Sequence, residues 1–560
     1  MTPDPTTTGR VARHATVLAA IVIASTSFLL VAPFLFFGSP SGHDFEFHLY
    51  SWMEVSNQWR HGILYPRWAA LAHFGYGEAR FIFYPPISWL VGAALGTILP
   101  WKVAPGAFVW LALTLAGASM FKLARSWLPY REALAAAVIY AANPYHLIIV
   151  YWRSAYAELL AAALLPLLLL FLLRMEREGP RWMIPLGVVV AASWLTNAPA
   201  AVMVNYSLAL MGAVVALAKR SGRMLLYSAG AVALGLALAA FYVLPAAYEE
   251  KWVNIGEVLS PGVRPQDNFL FTRIADPDHN RFNLLVSVVA LGELAGLVLT
   301  LFLTRRVRKL RNPHWTVLAV WGLACALLLF RFTDFAWNVL PKLRFMQLPW
   351  RWLLALNVAL ALLITVAFRK SWQRAAIALA LVGVVLYAGY RTQPPWWDQA
   401  DDIAEMKSAI QPDLGYEGTD EYVSAGADPY ELNKNAPAVA FENGREVKTL
   451  HTHLATESWK FSTSLAQPTT VVLHHFNYPA WRVRVNGQDV QSRTHAVTGQ
   501  IMIPVPAGPS TVEIELIRTW DRTLGGAISL GTMVTILFLT FRRRASPAKQ
   551  PPEESPALAA

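Results

Sequence analysis

Runs of about 17 to 22 mostly apolar residues recur along almost the whole chain, each long enough to cross the roughly 30 Å hydrocarbon core of a bilayer as a helix. That repetition constrains the fold more than any other feature, because a spanning segment must satisfy its own backbone hydrogen bonds and so must be helical here. Candidate spans fall at 15–37, 103–121, 133–150, 155–173, 183–197, 200–218, 224–245, 284–304, 315–331, 352–368, 374–390 and 525–541. Composition agrees: 55% of the 560 residues are hydrophobic and 15% charged, with a mean hydropathy of +0.38, which excludes an ordinary soluble enzyme. The first run lacks a convincing cleavage site before His43 and exceeds a signal-peptide core, so it reads as an uncleaved helix. The sole cysteine, Cys325, lies inside an apolar run, which excludes an internal disulfide and any multi-cysteine metal cluster.

The net charge of +11 is spread over short basic clusters between apolar runs, so it speaks for topology and not for nucleic acid. Lys122/Arg125/Arg131, Arg174/Arg177/Arg181, Lys219/Arg220/Arg223, Arg305/Arg306/Arg308/Lys309/Arg311, Arg369/Lys370/Arg374 and Arg542/Arg543/Arg544 occupy every second gap. The positive-inside rule places them in the cytoplasm with Arg10 and Arg13, giving twelve spans with both termini inside. Ile87 to Leu99 would be a thirteenth crossing, but it is short, follows Tyr84-Pro85-Pro86, and fits a re-entrant or interfacial helix. The external side then holds about 38–102, 246–283, 332–351 and 391–524.

Domains follow from this pattern. Residues 1–390 form a helical membrane domain with external loop 38–102, and 391–524 an external, mainly β module. Residues 525–544 make the last span, and 545–560 a tail disordered by composition. Strand alternation is clearest at Val471–Leu473, Trp481–Val485, Ile501–Val505 and Thr511–Leu516, with Asn486-Gly487 a tight-hairpin signal, so a small β-sandwich is expected.

The first external loop opens on His43-Asp44-Phe45-Glu46-Phe47-His48. A carboxylate there suits a general base toward an acceptor hydroxyl, and Asp44, Glu46 and His48 together suit a divalent cation such as Mg or Mn. The plainer reading is a solvated loop with a helix start at Asp44. The loop continues through Tyr65, Arg67 and Tyr84 in a density of aromatics, Gly and Pro that suits a folded lid on the membrane surface. Glu158 follows Arg153 at an external helix mouth, where an ionisable group is costly unless paired; a structural Arg153–Glu158 pair is the plainer reading. Glu293, deep in a span, reads as an inter-helix polar contact. Lys342, Arg344 and Arg351 sit at the outer boundary against the topological trend, where a guanidinium clamps a lipid-linked phosphate or snorkels to headgroups. No P-loop, HExxH or GxSxG occurs in a sensible context.

The HDFEFH loop, GILYPRW, FGYGEARFIFYPP, YWRSAYAE, LRFMQLPWRW, GYEGTDEY and YPAWRVRVNG together resemble bacterial membrane proteins described as 6-pyruvoyl-tetrahydropterin-synthase-related, over nearly the whole chain. Nothing like the soluble synthase's zinc-histidine site accompanies them. In organisation the chain is similar to GT-C type glycosyltransferases, which use polyprenyl-phosphate sugars and place acidic residues in the first two external loops. The resemblance implies Asp44 as base or metal-organising carboxylate and Glu158 as second acid. It also implies an external arginine, Arg344 or Arg351, on the donor phosphate, with Lys342 and Arg153 nearby. The first motif here is D-x-E and not two adjacent acids, which sets Glu46 apart from that pattern. The implied reaction is an inverting single displacement from a polyprenyl-phosphate sugar to an extracytoplasmic glycan, lipid or protein, with His43, His48, Tyr65, Arg67 and Tyr84 in the substrate loop. The β-sandwich would bind or orient the acceptor, at the outer face of the bacterial inner membrane. A lipid or glycan flippase, or a non-catalytic envelope scaffold, are the alternatives; only Glu293 speaks for transport.

Overall fold

The computed structural model describes residues 5–305, 313–391, 400–411 and 413–545. Arg306, Arg308, Lys309 and Arg311 of one basic linker, the stretch 392–399 and the tail from 546 lie outside the described residues. The chain is a polytopic helical membrane protein with a β-rich C-terminal module. Among the described residues nine helices are long and apolar enough to cross a membrane, or up to eleven when two bent pairs count as one span each. The bent pairs are Arg223–Leu238 with Ala240–Trp252, at 80°, and His314–Leu327 with Arg331–Val339, at 98°.

The expected twelve exceed this count by the run at 183–197, which forms the helix Met183–Thr196, whose 14 residues rise about 21 Å, shorter than the other spans. Glu176 before it pairs with Lys219 at the end of the following helix at 2.9 Å, so both basic linkers lie on one side of the bundle. The short helix ends where the Asn197 side chain turns to cap the next helix, accepting the Ala200 N–H at 2.9 Å. The apolar stretch after Pro85 likewise forms a short helix, Pro86–Ile98, of 13 residues, about 20 Å long. It lies against the helix Phe45–Arg60, where a Cβ at Gly92 would fall 2.0 Å from the Trp52 indole.

The C-terminal module is two antiparallel sheets. Strands β1 (Val439–Phe441), β4 (Thr469–Phe476), β8 (Gln500–Val505) and β7 (Arg493–Thr494) form one, in that order. Strands β2 (Thr449–Ala455), β3 (Ser458–Leu465), β9 (Gly508–Leu516), β5 (Trp481–Val485) and β6 (Gln488–Val490) form the other. All four runs of sequence alternation lie in strands. β3 went unseen because Ser458-Trp459-Lys460-Phe461-Ser462-Thr463 is mostly polar, although its whole length pairs with β9. Asn486 and Gly487 both adopt positive φ, 53° and 80°, the turn that joins β5 to β6 with the twist strands prefer. Before the strands, the module begins with the helix Ala400–Ile410.

Two cores result. One fills the helical bundle; the other lies between the sheets and takes in Trp68, Tyr76, Ala79 and Ile82 from the first loop. Trp68 stacks on His475 at 5.2 Å and Tyr76 on His474 at 3.7 Å. The first loop and the β module therefore sit on one side of the bundle and fold as a unit. Truncating a buried aromatic of this kind typically costs about 3–5 kcal/mol, so the loop is anchored there.

Candidate active site

Three spans open onto this side at Arg153, at Glu158 and at Arg351. The first two meet at Ser154, which takes a left-handed turn with φ 49°. The chain before Asp44 runs tightly along this break: Gly42 N–H donates to Ser154 Oγ at 3.1 Å, His43 N–H to the Trp152 carbonyl at 3.3 Å and Asp44 N–H to the Arg153 carbonyl at 2.8 Å. Only glycine fits at 42, since a Cβ would lie 2.5 Å from the Arg153 carbonyl carbon. The helix Phe45–Arg60 starts immediately after Asp44, as the plainer sequence reading had it, yet the Asp44 carboxylate makes no capping bond to that helix. It lies 3.4 Å from Arg153 Nη2, with 39% of the side chain exposed.

Glu158 is placed differently. Its carboxylate takes Arg153 Nη1 at 2.5 Å, Arg351 Nε at 3.1 Å and the Tyr145 hydroxyl, and it is 2% exposed. It does not face Asp44 across open space. Arg153 bridges the two carboxylates, so Glu158 serves to hold two guanidinium groups at the mouth, and the expected structural pair is present. A buried ion pair survives only with its remaining bonding sites filled, and here they are. Arg351 adds bonds to the Met346 carbonyl and Gln347 Oε1, at 2.7 and 3.0 Å, and Arg153 lies 4.9 Å over the Trp350 ring.

Of the four expected phosphate-binding cations, Arg153 and Arg351 form this cluster and Lys342 and Arg344 do not. Lys342 and Arg344 are exposed, with Lys342 Nζ 3.0 Å from Glu250. The short turn Leu343–Met346 is bounded by left-handed Lys342 and a positive φ at Gln347. It buries Leu343 and Met346 and leaves Arg344 outside.

The expected cation ligands do not fit a metal. Asp44 and Glu46 are two residues apart at a helix start, and such neighbours do not share a face. His48 is 2% exposed among Trp52, Tyr84 and Tyr156, and burial pulls its pKa down to about 4. Among the described residues no group of three or more His, Cys, Asp or Glu gathers as a metal site.

Beside Asp44 lies a cavity of about 550 Å³ lined by His43, Glu46, Tyr50, Arg80, Glu405 and Tyr416, among others. Partial burial and the carboxylates of Glu417, Asp402 and Glu405 raise the Glu46 pKa. Tyr50 and Tyr416 stack at 4.3 Å on this wall. Tyr84 packs at 4.7 Å from Phe47, and burial drives its hydroxyl well above the usual phenol range. Tyr65 and Arg67 belong elsewhere: they line a separate cavity of about 560 Å³ with Phe241, Arg518 and Arg522, and Arg67 makes a two-pronged pair with Glu457 at 3.1 Å.

Sequence reasoning missed a second ionic cluster under the cavity. Arg80, 1% exposed, pairs with Glu78 at 2.5 Å and lies 4.5 Å from the Phe47 ring centre. Burial alone would raise the Glu78 pKa, but Arg80 and His73 outweigh it and hold it near 2. Glu54 accepts from the Tyr416 hydroxyl at 2.5 Å and the Leu71 N–H at 3.1 Å; burial outweighs both bonds and lifts it to about 7. The signal was present in FGYGEAR and GYEGTDEY, two glycine-and-aromatic stretches carrying charges, which the fold closes on each other through Thr419 N–H to Glu78 at 2.8 Å. Glu293, deep in its span, is satisfied by Asn357 at 2.9 Å and the Tyr145 N–H at 3.1 Å.

Residues 81–393, more than half of the chain, match the family model of the 6-pyruvoyl-tetrahydropterin synthase related domain, a membrane protein. No curated protein matches the chain in sequence. Three of the solved structures similar to it are as follows. ArnT from Cupriavidus metallidurans bound to undecaprenyl phosphate is 15% identical at a TM-score of 0.43, covering 73% of this chain and 76% of that one. The Archaeoglobus fulgidus oligosaccharyltransferase in the apo form is 15% identical at 0.41, over 73% of this chain and 60% of that one. The arabinofuranosyltransferase AftD from Mycobacteria is 18% identical at 0.42, over 68% of this chain and 27% of that one.

Proposed function

The chain belongs to the 6-pyruvoyl-tetrahydropterin synthase related family of membrane proteins, and we propose that this member is a glycosyltransferase working at the mouth of its bundle. The donor is a polyprenyl-phosphate sugar and the acceptor a hydroxyl of an extracytoplasmic glycan, lipid or protein. The basic linkers support an orientation in the bacterial inner membrane with this mouth away from the cytoplasm.

One observation carries the reading: the Asp44 carboxylate is partly exposed, unused by its own helix, and held beside a guanidinium anchored by buried Glu158. In the reaction Asp44 takes the acceptor hydroxyl proton as the acceptor oxygen bonds to the anomeric carbon. The bond from that carbon to the phosphate oxygen breaks, polyprenyl phosphate leaves with the electron pair, and the anomeric carbon inverts. Arg153 and Arg351 offset the charge that grows on the leaving phosphate, from positions already fixed before substrate arrives. Glu158 acts through them as a positioning residue. No step is routed through a metal, because Asp44, Glu46 and His48 do not converge. The hydrogen-bonded state of Glu293 favours this reading over transport, where deep charges must change partners.

The test is reconstitution in proteoliposomes with a panel of polyprenyl-phosphate sugars and a mixed envelope-glycan, lipid and peptide acceptor fraction, with the product anomer read by NMR. Transfer with inversion and release of polyprenyl phosphate is expected, with donor binding weakened at least tenfold by Arg351→Gln. Retention of configuration, or no transfer from any donor, overturns the reading.

A further inference from the structure

The YPAWRVRVNG motif of the β module plays no part in the reaction above. It borders a cavity of about 690 Å³, between the end of the bent span Ala240–Trp252 and the β5–β6 edge of the five-stranded sheet. That volume falls within the range of ligand pockets, about 300–1,000 Å³. We infer that this cavity is a groove for a neutral glycan chain, walled by Trp252 and floored by Asn477, Ser492 and Thr494; the inference rests on the acceptor of the proposed reaction being a glycan.

The chemistry of the lining argues for saccharide. Asn477 Nδ2 donates to Thr494 Oγ1 at 2.7 Å and Ser492 Oγ to Asn477 Oδ1 at 3.3 Å. This network leaves hydroxyl and amide capacity open, since each hydroxyl offers one donor and two lone pairs. Gln491 adds an exposed amide at the rim. Sugar hydroxyls, which both donate and accept, match such groups. The apolar C–H face of a sugar ring suits the negative face of an aromatic ring, and the Trp252 ring is fixed by contacts at 5.5 Å with Tyr248 and 5.3 Å with Tyr478.

Charge argues for a neutral ligand. Arg482 is engaged by both Asp489 oxygens, at 2.8 and 2.5 Å, and the Lys251 ammonium lies 4.0 Å over the Tyr248 ring. Asp489 is shared with Arg484 at 3.3 Å, and of the lining residues Lys251 is the only cation with no carboxylate among the described ion pairs, too few to hold a polyanion. A peptide added to the sheet edge would need a longer template than β6, which has three residues.

Position argues for a chain and not a single sugar. The segment that lines the cavity of His43 and Glu46, on either side of Asp44, through Gly415–Thr419 goes on to line this groove at Ser424 and Ala425. Thr419 and Ser424 are five residues apart, at most about 18 Å. A polymer can lie in the groove while its end reaches the cavity beside Asp44, which would keep the acceptor bound between transfers.

The experiment uses the full chain in nanodiscs and measures binding of neutral hexasaccharides (glucan, galactan, mannan and arabinan) by biolayer interferometry. At least one should bind, and both Trp252→Ala and Gln491→Trp should weaken it at least tenfold. The second variant blocks the groove from its exposed rim, so a folding defect in the first does not decide the matter. Failure of every hexasaccharide to bind, or binding that survives both variants, overturns the inference, as does preferential capture of an unstructured peptide pool. Binding and not transfer is read, so a negative result leaves the proposed reaction standing, and absent transfer with intact binding counts against that reaction alone.

Discussion

Two arginine–carboxylate clusters flank the first loop, built from nearly the same parts. Each has a buried arginine against a buried glutamate, and each has a glutamate that receives a tyrosine hydroxyl: Tyr145 to Glu158 at the bundle mouth, Tyr416 to Glu54 under the cavity. At the mouth a further carboxylate, Asp44, is left 39% exposed. Beneath the cavity every member is enclosed: Glu54 and Arg80 are 1% exposed and Glu78 0%. A closed cluster fixes the fold of the loop, whereas one open carboxylate on an otherwise rigid cluster is what proton transfer to a substrate requires.

Breaking the closed cluster should cost the most stability. Arg80→Met leaves Glu78 buried without its cation, and loss of one partner of a buried pair costs about 3–5 kcal/mol. Arg67→Met, at a pair whose side chains are 23% and 25% exposed, should cost about 1 kcal/mol or less. Thermal unfolding in detergent compares the two, and equal losses would erase the distinction between closed and open pairs.

The closed cluster should also give the protein a pH signature. Burial raises Glu54 from 4.5 to about 7, so the folded protein keeps a proton that the unfolded chain releases. Its stabilisation is complete below about 4.5 and is lost as pH rises through about 7, on the order of 3 kcal/mol in all. Glu421, also raised to about 7 by burial, adds to the same slope. Glu54→Gln should therefore shrink the difference between melting temperatures at pH 5 and pH 8 without abolishing it; an unchanged difference would show that Glu54 does not titrate there.

A smaller and more selective effect separates the clusters by their glycines. At Gly42 a Cβ would lie 2.5 Å from the Arg153 backbone, and at Gly418 it would lie 2.1 Å from His73 Nε2. Each alanine variant should lose about 1–3 kcal/mol through overpacking. Only Gly42→Ala moves Asp44, so only it should lower turnover beyond the loss of folded protein; parallel losses in both would contradict this.

Much of the architecture was legible from the sequence, for physical reasons. Apolar runs report spans, strand alternation reports sheets with one buried face, and Asn486-Gly487 reports its turn directly. The shortness of the helix at 183–197 was not legible, because hydropathy does not register that Asn197 ends one helix by capping the next. At the site, Asp44, Arg153, Glu158 and Arg351 were named, and the fold gathers them; their connectivity was not readable, since Arg153 and Arg351 converge on one carboxylate over 193 residues of chain. Lys342 and Arg344 look equivalent to Arg351 in sequence, but the turn Leu343–Met346 buries Leu343 and Met346 and leaves the two cations outside. Glu54 looks in sequence like an ordinary loop carboxylate, yet it is buried and bonded to a tyrosine 362 residues away. Asp278 suits a control, since its side chain is 88% exposed and pairs only with Arg281 among the described ion pairs.

The central claim is that Asp44, the open carboxylate of the mouth cluster, performs the chemistry, and the direct measurement is sugar transfer by Asp44→Asn against Asp278→Asn in proteoliposomes, at matched folded protein. Loss of a general base costs about a hundred-fold to ten-thousand-fold in rate, so Asp44→Asn should fall by that factor with its melting temperature and donor binding unchanged, and Asp278→Asn should match wild type. Near-normal turnover by Asp44→Asn would contradict the account.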